Sequence, residues 1–252
     1  MESDSDNHRS IGSRTGRAAI TDLDLFASAR DLEGRPPGDI VAWAAEHFAG
    51  RVTFATGFGV EGCALIDMIA RRGLAVDVFT LDTGLLFFET RDLWERLQAR
   101  YGVTIRAVRP EETVNEQAAR WGPALWERDP DRCCQLRKVE PLGAALRGFD
   151  AWLSAARRDQ TPDRARIPVV GRDPRFCLVK VSPLAAWSSA DVWDYVRAHD
   201  VPTNALHERG YPSIGCWPCT TPAEKGEDAR AGRWRGRDKT ECGLHVQIRV
   251  AR

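Results

Sequence analysis

Short apolar or β-branched runs alternate with amphipathic stretches through the first half of the chain. The apolar runs lie at 51–56, 75–82 and 103–108, and the stretches between them, at 60–72 and 89–101, have helical periodicity. Successive strands that are joined by helices pair in parallel, with the helices covering the faces of the sheet. The alternation therefore predicts an α/β fold with a parallel twisted sheet and flanking helices.

The same pattern extends on both sides of this region. Thr21 is suited to cap a helix at 21–32, and Pro36 and Pro37 precede a second helix. The remaining predicted elements are helices at 111–121, 131–146 and 188–199, and strands at 150–154 and 176–181. Beyond Val201 the periodicity fades and Gly, Pro, Cys and Arg dominate, which indicates a segment that folds around something other than its own apolar side chains.

The charge balance and the hydropathy pattern exclude several classes of partner. Lys and Arg together number 36, as do Asp and Glu, so the formal net charge is zero and gives no reason to expect a basic surface for nucleic acid or anionic lipid. No apolar run approaches the ~20 residues of a membrane span, and the polar N-terminus lacks a secretory signal. We expect a cytoplasmic protein, without nucleic-acid or membrane partners, whose residues 1–18 are disordered.

The seven cysteines are too few and too unevenly spaced for a disulfide scaffold. Cys133 and Cys134 are adjacent, while Cys216 and Cys219 form a CxxC pair in the run GCWPC. Four thiolates from two places can close one metal centre, which leaves zinc or an iron–sulfur cluster. Adjacent side chains on a helix diverge by about 100°, which favours a bulky cluster over one tetrahedral zinc. A redox dithiol beside two unrelated core cysteines is the alternative.

The other cysteines divide into one candidate nucleophile and two candidate core residues. Cys242 follows a segment, 225–239, that holds six basic residues against three acidic ones. Such a run is often only a solvated surface, but cationic neighbours favour the thiolate form of a cysteine and so its use as a nucleophile. His245 could assist it. Cys63 and Cys177 follow the pattern of buried core thiols.

Three further features point to a bound anionic ligand. The glycine loop, residues 56–59, joins the first predicted strand to a helix, where backbone amides can approach a phosphate or sulfate. A plain tight turn explains the same residues equally well. The run LDTG at 81–84 ends the second strand, and polar residues at that end of a parallel strand face the crevice where open sheets bind ligands. Arg157 and Arg158, with Arg164 nearby, follow the fourth predicted strand.

Six strings of residues, in this order and spacing, resemble the assimilatory sulfonucleotide reductases, and within them the bacterial iron–sulfur type of adenosine 5′-phosphosulfate (APS) reductase. They are LDTG at 81–84, CCQLRKVEPL at 133–142, RRDQ at 157–160, GYPSIGCWPC at 210–219, AGRW at 231–234 and KTECGLH at 239–245. The resemblance covers about 38–245, and KTECGLH with the two cysteine pairs is its most specific part.

The resemblance implies a fold, a cofactor and a set of site residues. The fold is of the adenine nucleotide alpha hydrolase-like, ATP-pyrophosphatase type, and the cofactor is a 4Fe-4S cluster bound by Cys133, Cys134, Cys216 and Cys219. Cys242 is implied as the catalytic nucleophile. The implied substrate-binding residues are Thr56, Gly57, Phe58, Gly59, Leu81, Asp82, Thr83, Gly84, Lys138, Arg157, Arg158, Arg164, Arg230, Arg233 and His245.

The resemblance also implies a reaction in sulfate assimilation and cysteine biosynthesis. The Cys242 thiolate would attack the sulfur of APS, release AMP and form a cysteine S-sulfonate, from which reduced thioredoxin, or glutaredoxin, would release sulfite. In this interpretation 19–222 is a nucleotide- and cluster-binding α/β domain, and 223–252 is a mobile C-terminal tail that carries the nucleophile. A homo-oligomer is left open.

Some residues depart from the family pattern, and other functions compete with this interpretation. Gly57, Gly62, Phe88 and Ala155 stand where the family usually has a serine, an acidic residue, a proline and a glycine. The departures bear on nucleotide contacts and leave the cysteines intact. The rivals are a reductase of 3′-phosphoadenosine 5′-phosphosulfate (PAPS), an iron–sulfur tRNA-thiolating enzyme, which would be expected to carry a loop close to SGGKDS, and a zinc-binding module without catalysis.

Overall fold

The computed structural model of the protein describes residues 21–244. The predicted disorder at 1–18 and the predicted role of His245 lie outside these residues. The described chain contains one sheet whose strands are β1 (Val52–Thr56), β2 (Asp77–Leu81), β3 (Ile105–Val108), β4 (Ala151–Leu153), β5 (Val170–Asp173) and β6 (Leu178–Val181). No helix of this part of the chain is long and apolar enough to cross a membrane.

The sheet has the order β3-β2-β1-β4-β6-β5, and all neighbours except β5 and β6 pair in parallel. This confirms the predicted fold class, with one correction. The edge strand β5 is antiparallel and was not predicted, because its four residues, VGRD, show no apolar run. The strand order reverses between β1 and β4, and open sheets bind ligands beside the carboxyl ends of the strands at such a point.

Helices cover both faces of the sheet. Their bounds are α1 (Asp22–Leu32), α2 (Pro37–His47), α3 (Val60–Arg71), α4 (Phe88–Tyr101), α5 (Val114–Trp121), α6 (Leu125–Arg128), α7 (Pro130–Cys134), α8 (Glu140–Leu146) and α9 (Ser189–Ala198). Thr21, Thr113 and Ser188 each form a capping box, so α5 starts three residues later than predicted. The predicted helix at 131–146 is continuous but contains a π-helical turn, Gln135–Val139.

Two apolar clusters hold these layers together. The larger one lies around β1 and α3, with Phe54, Phe58 and Leu65 fully buried, and the smaller one joins α8 to β4 through Leu142 and Trp152. Burial of this apolar surface is the main stabilising contribution. The smaller cluster fixes the helix that carries the cysteine pair against the strand end where the site lies.

The two cysteines predicted to be core residues have different environments. Cys63 is completely buried in α3, as predicted, and burial raises the pKa of its thiol to about 12. Cys177 is exposed, so that prediction was wrong. It lies in the turn between β5 and β6 with a left-handed backbone, φ +54°, which directs the side chain out of the apolar strand that follows.

Candidate active site

A cavity of about 220 Å³ lies at the carboxyl ends of β1 and β2, beside the point where the strand order reverses. It is lined by Ala55, Thr56, Gly57, Thr80, Leu81, Thr83, Leu86, Thr90, Lys138, Leu142, Trp152, Arg164, Ile214, Gly215, Cys216, Arg230, Arg233, Glu241, Cys242 and Leu244. Segments that are far apart in sequence meet here. The predicted nucleophile, one predicted metal ligand and several predicted substrate contacts therefore share one cavity.

The glycine loop brings backbone and hydroxyl groups to the cavity wall. The Thr56 hydroxyl accepts a hydrogen bond from the Phe58 amide (3.1 Å), and Phe58 has a left-handed backbone that turns its ring into the core against Trp94. A Cβ atom at Gly62 would lie 2.7 Å from the Thr56 hydroxyl oxygen. Gly62, one of the departures from the family pattern, is thus required by the close packing of the first turn of α3 against this loop.

The LDTG segment divides between the cavity and the structure that supports it. Leu81 and Thr83 line the cavity. Asp82 is buried and accepts hydrogen bonds from Arg91 and Arg109 (3.1 Å each), outside the cavity lining. Gly84 has φ +71° and turns the chain away from the strand. Within the described residues, Asp82 and Gly84 shape the strand end, and Leu81 and Thr83 face the space beside it.

The four cysteines predicted as metal ligands come together at one end of the cavity. Cys133 and Cys134 end α7. Cys216 directly precedes a 3₁₀ turn, Trp217–Cys219, and Cys219 is the last residue of that turn. An isolated β-bridge pairs Leu86 with Cys216 and so ties this turn to the loop that follows β2. Helix α7 and the 3₁₀ turn thus present two thiols each to the same region.

Burial and neighbouring charges raise the pKa of two of these thiols. All four are free, and burial together with Cys134, Cys216 and Cys219 raises the pKa of the Cys133 thiol to about 12. Burial raises the pKa of the Cys134 thiol to about 11. In residues 21–244, no three His, Cys, Asp or Glu side chains converge as a single metal ion requires. The thiols are thus near enough to influence one another's charge, and which metal group they would hold stays a prediction.

Lys138 places a positive charge between the cysteines and the rest of the cavity. It lies in the π-helical turn that follows Cys134 and lines the cavity. Burial opposes its charge, but negative charge on Cys216, Cys242 and Cys134 outweighs burial and raises the pKa of Lys138. The ammonium group is therefore retained at neutral pH and can balance thiolates on one side and a bound anion on the other.

Three predicted arginines, Arg164, Arg230 and Arg233, also line the cavity. Arg233 approaches the backbone of Gly215 and stacks on Trp234, with 4.5 Å from its guanidinium carbon to the ring centroid. Arg164 and Arg230 both bind the carboxylate of Glu241. The Nε atoms of Arg230 and Arg233 are buried and lack a hydrogen-bond partner among residues 21–244. Such donors fit an anionic ligand.

The RRDQ segment does not reach the cavity lining. Arg157 binds Glu61 and Asp159, and Arg158 forms a two-point ion pair with Glu33, the residue that follows α1 (2.6 and 2.8 Å). Gln160 contacts the site indirectly, because its side-chain oxygen accepts a hydrogen bond from Arg164, which lines the cavity. In the described chain this segment therefore orients the cavity wall, and direct substrate contact by Arg157 or Arg158 stays a prediction.

Sequence reasoning missed several residues of the site. Glu241 lies in the string KTECGLH, but the string indicates a role only for the neighbouring thiol. Nothing in the spacing indicates that Glu241 pairs with Arg164, 77 positions away. From its sequence context, Trp152 is expected to be a core residue. It is buried, but it also lines the cavity. An aromatic residue near the end of a strand that adjoins a switch point is the signal that could have identified it.

Lys180 is expected to make stability rise with pH. It lies on β6 over the Trp152 ring (4.6 Å), and burial lowers its pKa from 10.5 to about 8 although Asp173 lies 3.8 Å away. Below pH 8 the folded protein must bury the charged ammonium group, which lowers the free energy of unfolding. Between pH 8 and pH 10.5 the folded protein loses this proton while the unfolded chain keeps it, so the free energy of unfolding rises. In Lys180→Met, this rise in the free energy of unfolding, measured with urea, should be absent.

The matched control for this measurement is Lys225→Met, which removes an exposed lysine. Its difference from the wild type in free energy of unfolding should not change between pH 8 and pH 10.5. A constant difference between the wild type and Lys180→Met over the same range would contradict a buried, destabilising charge at position 180.

Comparison with known proteins agrees with the geometry. The family model of the phosphoadenosine phosphosulfate reductase domain matches residues 51–222. The adenosine 5′-phosphosulfate reductase 1 of Bacillus subtilis (strain 168) is 48% identical over 207 residues, which are 82% of this chain and 89% of the relative. The adenosine 5′-phosphosulfate reductase of Geobacillus thermodenitrificans (strain NG80-2) is 46% identical over 217 residues, 86% of this chain and 92% of the relative.

A solved structure shows the same architecture. The phosphoadenylyl-sulfate (PAPS) reductase from Candida auris, in a phosphate complex, superposes with a TM-score of 0.73 at 30% identity, covering 82% of this chain and all of that one. The family model extends over the strand ends, the two cysteine pairs and the switch point beside the cavity. The chain belongs to the phosphoadenosine phosphosulfate reductase family.

Proposed function

We propose that this protein reduces adenosine 5′-phosphosulfate to sulfite and AMP, with Cys242 as nucleophile and a thioredoxin-type dithiol as reductant. The observation that carries the proposal is the shared cavity, in which Cys242 lies with Lys138, Arg164, Arg230 and Arg233 at the carboxyl end of the sheet. Relatives at 46–48% identity over most of their length bear the name of this activity.

The charges that line the cavity suit a doubly anionic mononucleotide. Within the described residues the lining holds four basic side chains and one acidic one, Glu241. The glycine loop and the LDTG strand end offer the space for the nucleotide, while the arginines face its phosphosulfate group. Fixed positive charge in a partly enclosed cavity stabilises the charge that develops on the departing phosphate.

In the first step the Cys242 thiolate attacks the sulfur of the sulfate group. A bond forms between Sγ and that sulfur, the bond from the sulfur to the bridging oxygen breaks, and AMP leaves with the electron pair. The product on the protein is a cysteine S-sulfonate. Lys138 and Arg230 lie within electrostatic range of Cys242, so their positive charges can offset the charge of the sulfonate after the attack.

In the second step a reduced thioredoxin, or glutaredoxin, supplies two electrons. One of its thiolates attacks Sγ of Cys242, sulfite leaves with the bonding pair, and a mixed disulfide forms. The second thiol of the partner then releases Cys242 as a thiolate. The partner must reach a half-buried sulfur, so we propose that the C-terminal tail (223–252) opens for this step, within a cytoplasm that keeps dithiols reduced.

Cys133, Cys134, Cys216 and Cys219 would hold a 4Fe-4S cluster, because they are four thiols near enough to influence one another's charge. When bound, this group supplies a negative charge beside Lys138 and a covalent link between α7 and the 216–219 turn. The chain's own residues extend that link. Trp234, only 3% exposed, donates its amide to the carbonyl of Cys219 (3.0 Å), which connects the start of the tail to the cysteine turn.

A PAPS reductase is the second candidate, favoured by the Candida auris structure at 30% identity. The deciding experiment uses anaerobically purified protein, iron and sulfide analysis, and sulfite release from each nucleotide with reduced thioredoxin. We expect faster release from APS than from PAPS. Faster release from PAPS would assign the second candidate, and no release from either nucleotide by iron-loaded protein would overturn the proposal.

A further inference from the structure

Glu241 occupies the arginines that the proposed substrate needs. Its carboxylate accepts two hydrogen bonds from Arg164, from Nε and from Nη2 (2.9 Å each), and a third from Nη2 of Arg230 (3.3 Å). The side chains of Arg164 and Glu241 are 8% and 9% exposed. This is a two-point, nearly buried ion pair directly beside Cys242, in the wall of the candidate active site.

The pair leaves Arg164 without a suitable face for a second oxyanion. Arginine binds carboxylate, phosphate and sulfate through the same planar fork, formed here by Nε and Nη2. Glu241 takes that fork, and Nη1 donates to Gln160 on the other side. A sulfate group can bind Arg164 in the two-point manner only if the Glu241 carboxylate withdraws.

The neighbouring donors indicate that an oxyanion does enter this space. The Nε atom of Arg230 is buried and has no hydrogen-bond partner within 21–244, and the same holds for Nε of Arg233. Both side chains line the cavity. A tetrahedral oxyanion presents more acceptor atoms than a carboxylate, so it can satisfy Arg164 together with donors that Glu241 leaves unused.

We propose that Arg164 and Arg230 form an exchangeable oxyanion site, in which the Glu241 carboxylate is the resident ligand of the free protein and the sulfate group of the substrate replaces it. Exchange keeps the buried Arg164 charge balanced before and after binding, which avoids the large cost of a buried unpaired charge. Glu241 directly precedes Cys242, so the exchange takes place beside the nucleophile. The inference deepens the proposed function by assigning this site to the sulfate group.

The test measures binding of inorganic sulfate to Glu241→Gln, Glu241→Ala and wild-type protein by calorimetry, at constant ionic strength maintained with chloride. Removing the resident carboxylate should tighten sulfate binding by about tenfold or more. Sulfate should also raise the melting temperature of both variants more than that of the wild type, because it fills a site that they leave uncompensated. In steady-state assays, both variants should show a lower KM for APS.

Glu227→Gln is the matched control. Glu227 lies in the same tail and binds Arg235 at two points (2.9 and 2.7 Å), outside the cavity lining, so its sulfate affinity should equal that of the wild type. Unchanged or weaker sulfate binding in both Glu241 variants would overturn the exchange, even if the wild type reduces APS. Absence of APS reduction by the wild type would instead count against the proposed function and leave the sulfate result interpretable.

Discussion

Cys242→Ser is expected to abolish sulfite release from APS while the protein retains its iron and binds the nucleotide. A serine hydroxyl is far less nucleophilic than a thiolate and cannot form the S-sulfonate, so turnover should fall by at least about 10⁴-fold, as it does when a nucleophile is removed from other enzymes. The measurements are sulfite release with reduced thioredoxin, and mass spectrometry of the protein after incubation with APS alone. The wild type should gain an SO₃ adduct on Cys242, and the variant should not.

The control for this variant is Cys177→Ser, the same change at an exposed cysteine in the turn between β5 and β6. It should keep full activity and should still form the adduct on Cys242. Sulfite release by Cys242→Ser at a rate near that of the wild type, or an adduct found on another cysteine, would show that the nucleophile is not Cys242.

Cys133→Ser should have the second largest effect, on iron content and stability. Cys133 is buried, and the charges of the other three predicted ligands raise the pKa of its thiol. Its loss therefore removes one of four neighbouring ligands. We expect the purified protein to lose most of its iron and sulfide, and the free energy of unfolding to fall by several kcal/mol, because metal binding to such a site is part of the folding energy.

The measurements are iron and sulfide analysis, visible absorbance and unfolding in urea. Cys177→Ser is again the matched control and should retain the iron of the wild type. A Cys133→Ser protein with unchanged iron and sulfide would exclude Cys133 as a ligand. Stoichiometric zinc without iron in the wild type would replace the cluster by a structural zinc site.

The fold was predictable because its main signal is local. Apolar runs separated by amphipathic stretches indicated the parallel sheet, and capping residues such as Thr21 and Ser188 marked helix starts. The edge strand β5 escaped because a short polar strand carries no hydrophobic signal and is stabilised by its pairing with β6. Cys177 was misassigned for a related reason, since the left-handed turn that exposes it depends on that same hairpin.

The candidate site was predictable only in part. Motif strings predicted Cys242, the four paired cysteines and most of the basic residues as site residues, and the structure brings Cys242, Cys216 and four of the basic residues to one cavity. Which arginine meets which acid was not visible. Arg158 turned out to bind Glu33 and Arg164 to bind Glu241, and both pairs join segments that only folding brings together.

The sequence alone therefore determined the class of fold, the kind of reactive group and the set of cations around it, since each depends on residue identity and local periodicity. Only the tertiary structure decided that Asp82 faces Arg91 and Arg109, that Trp152 lines the cavity, and that Glu241 binds Arg164. The physical reason is that charge pairing and burial depend on distance through space. The carboxyl ends of β1 and β2 collect side chains from 55 to 244 into one small cavity, and the order of the chain does not reveal which of them will meet.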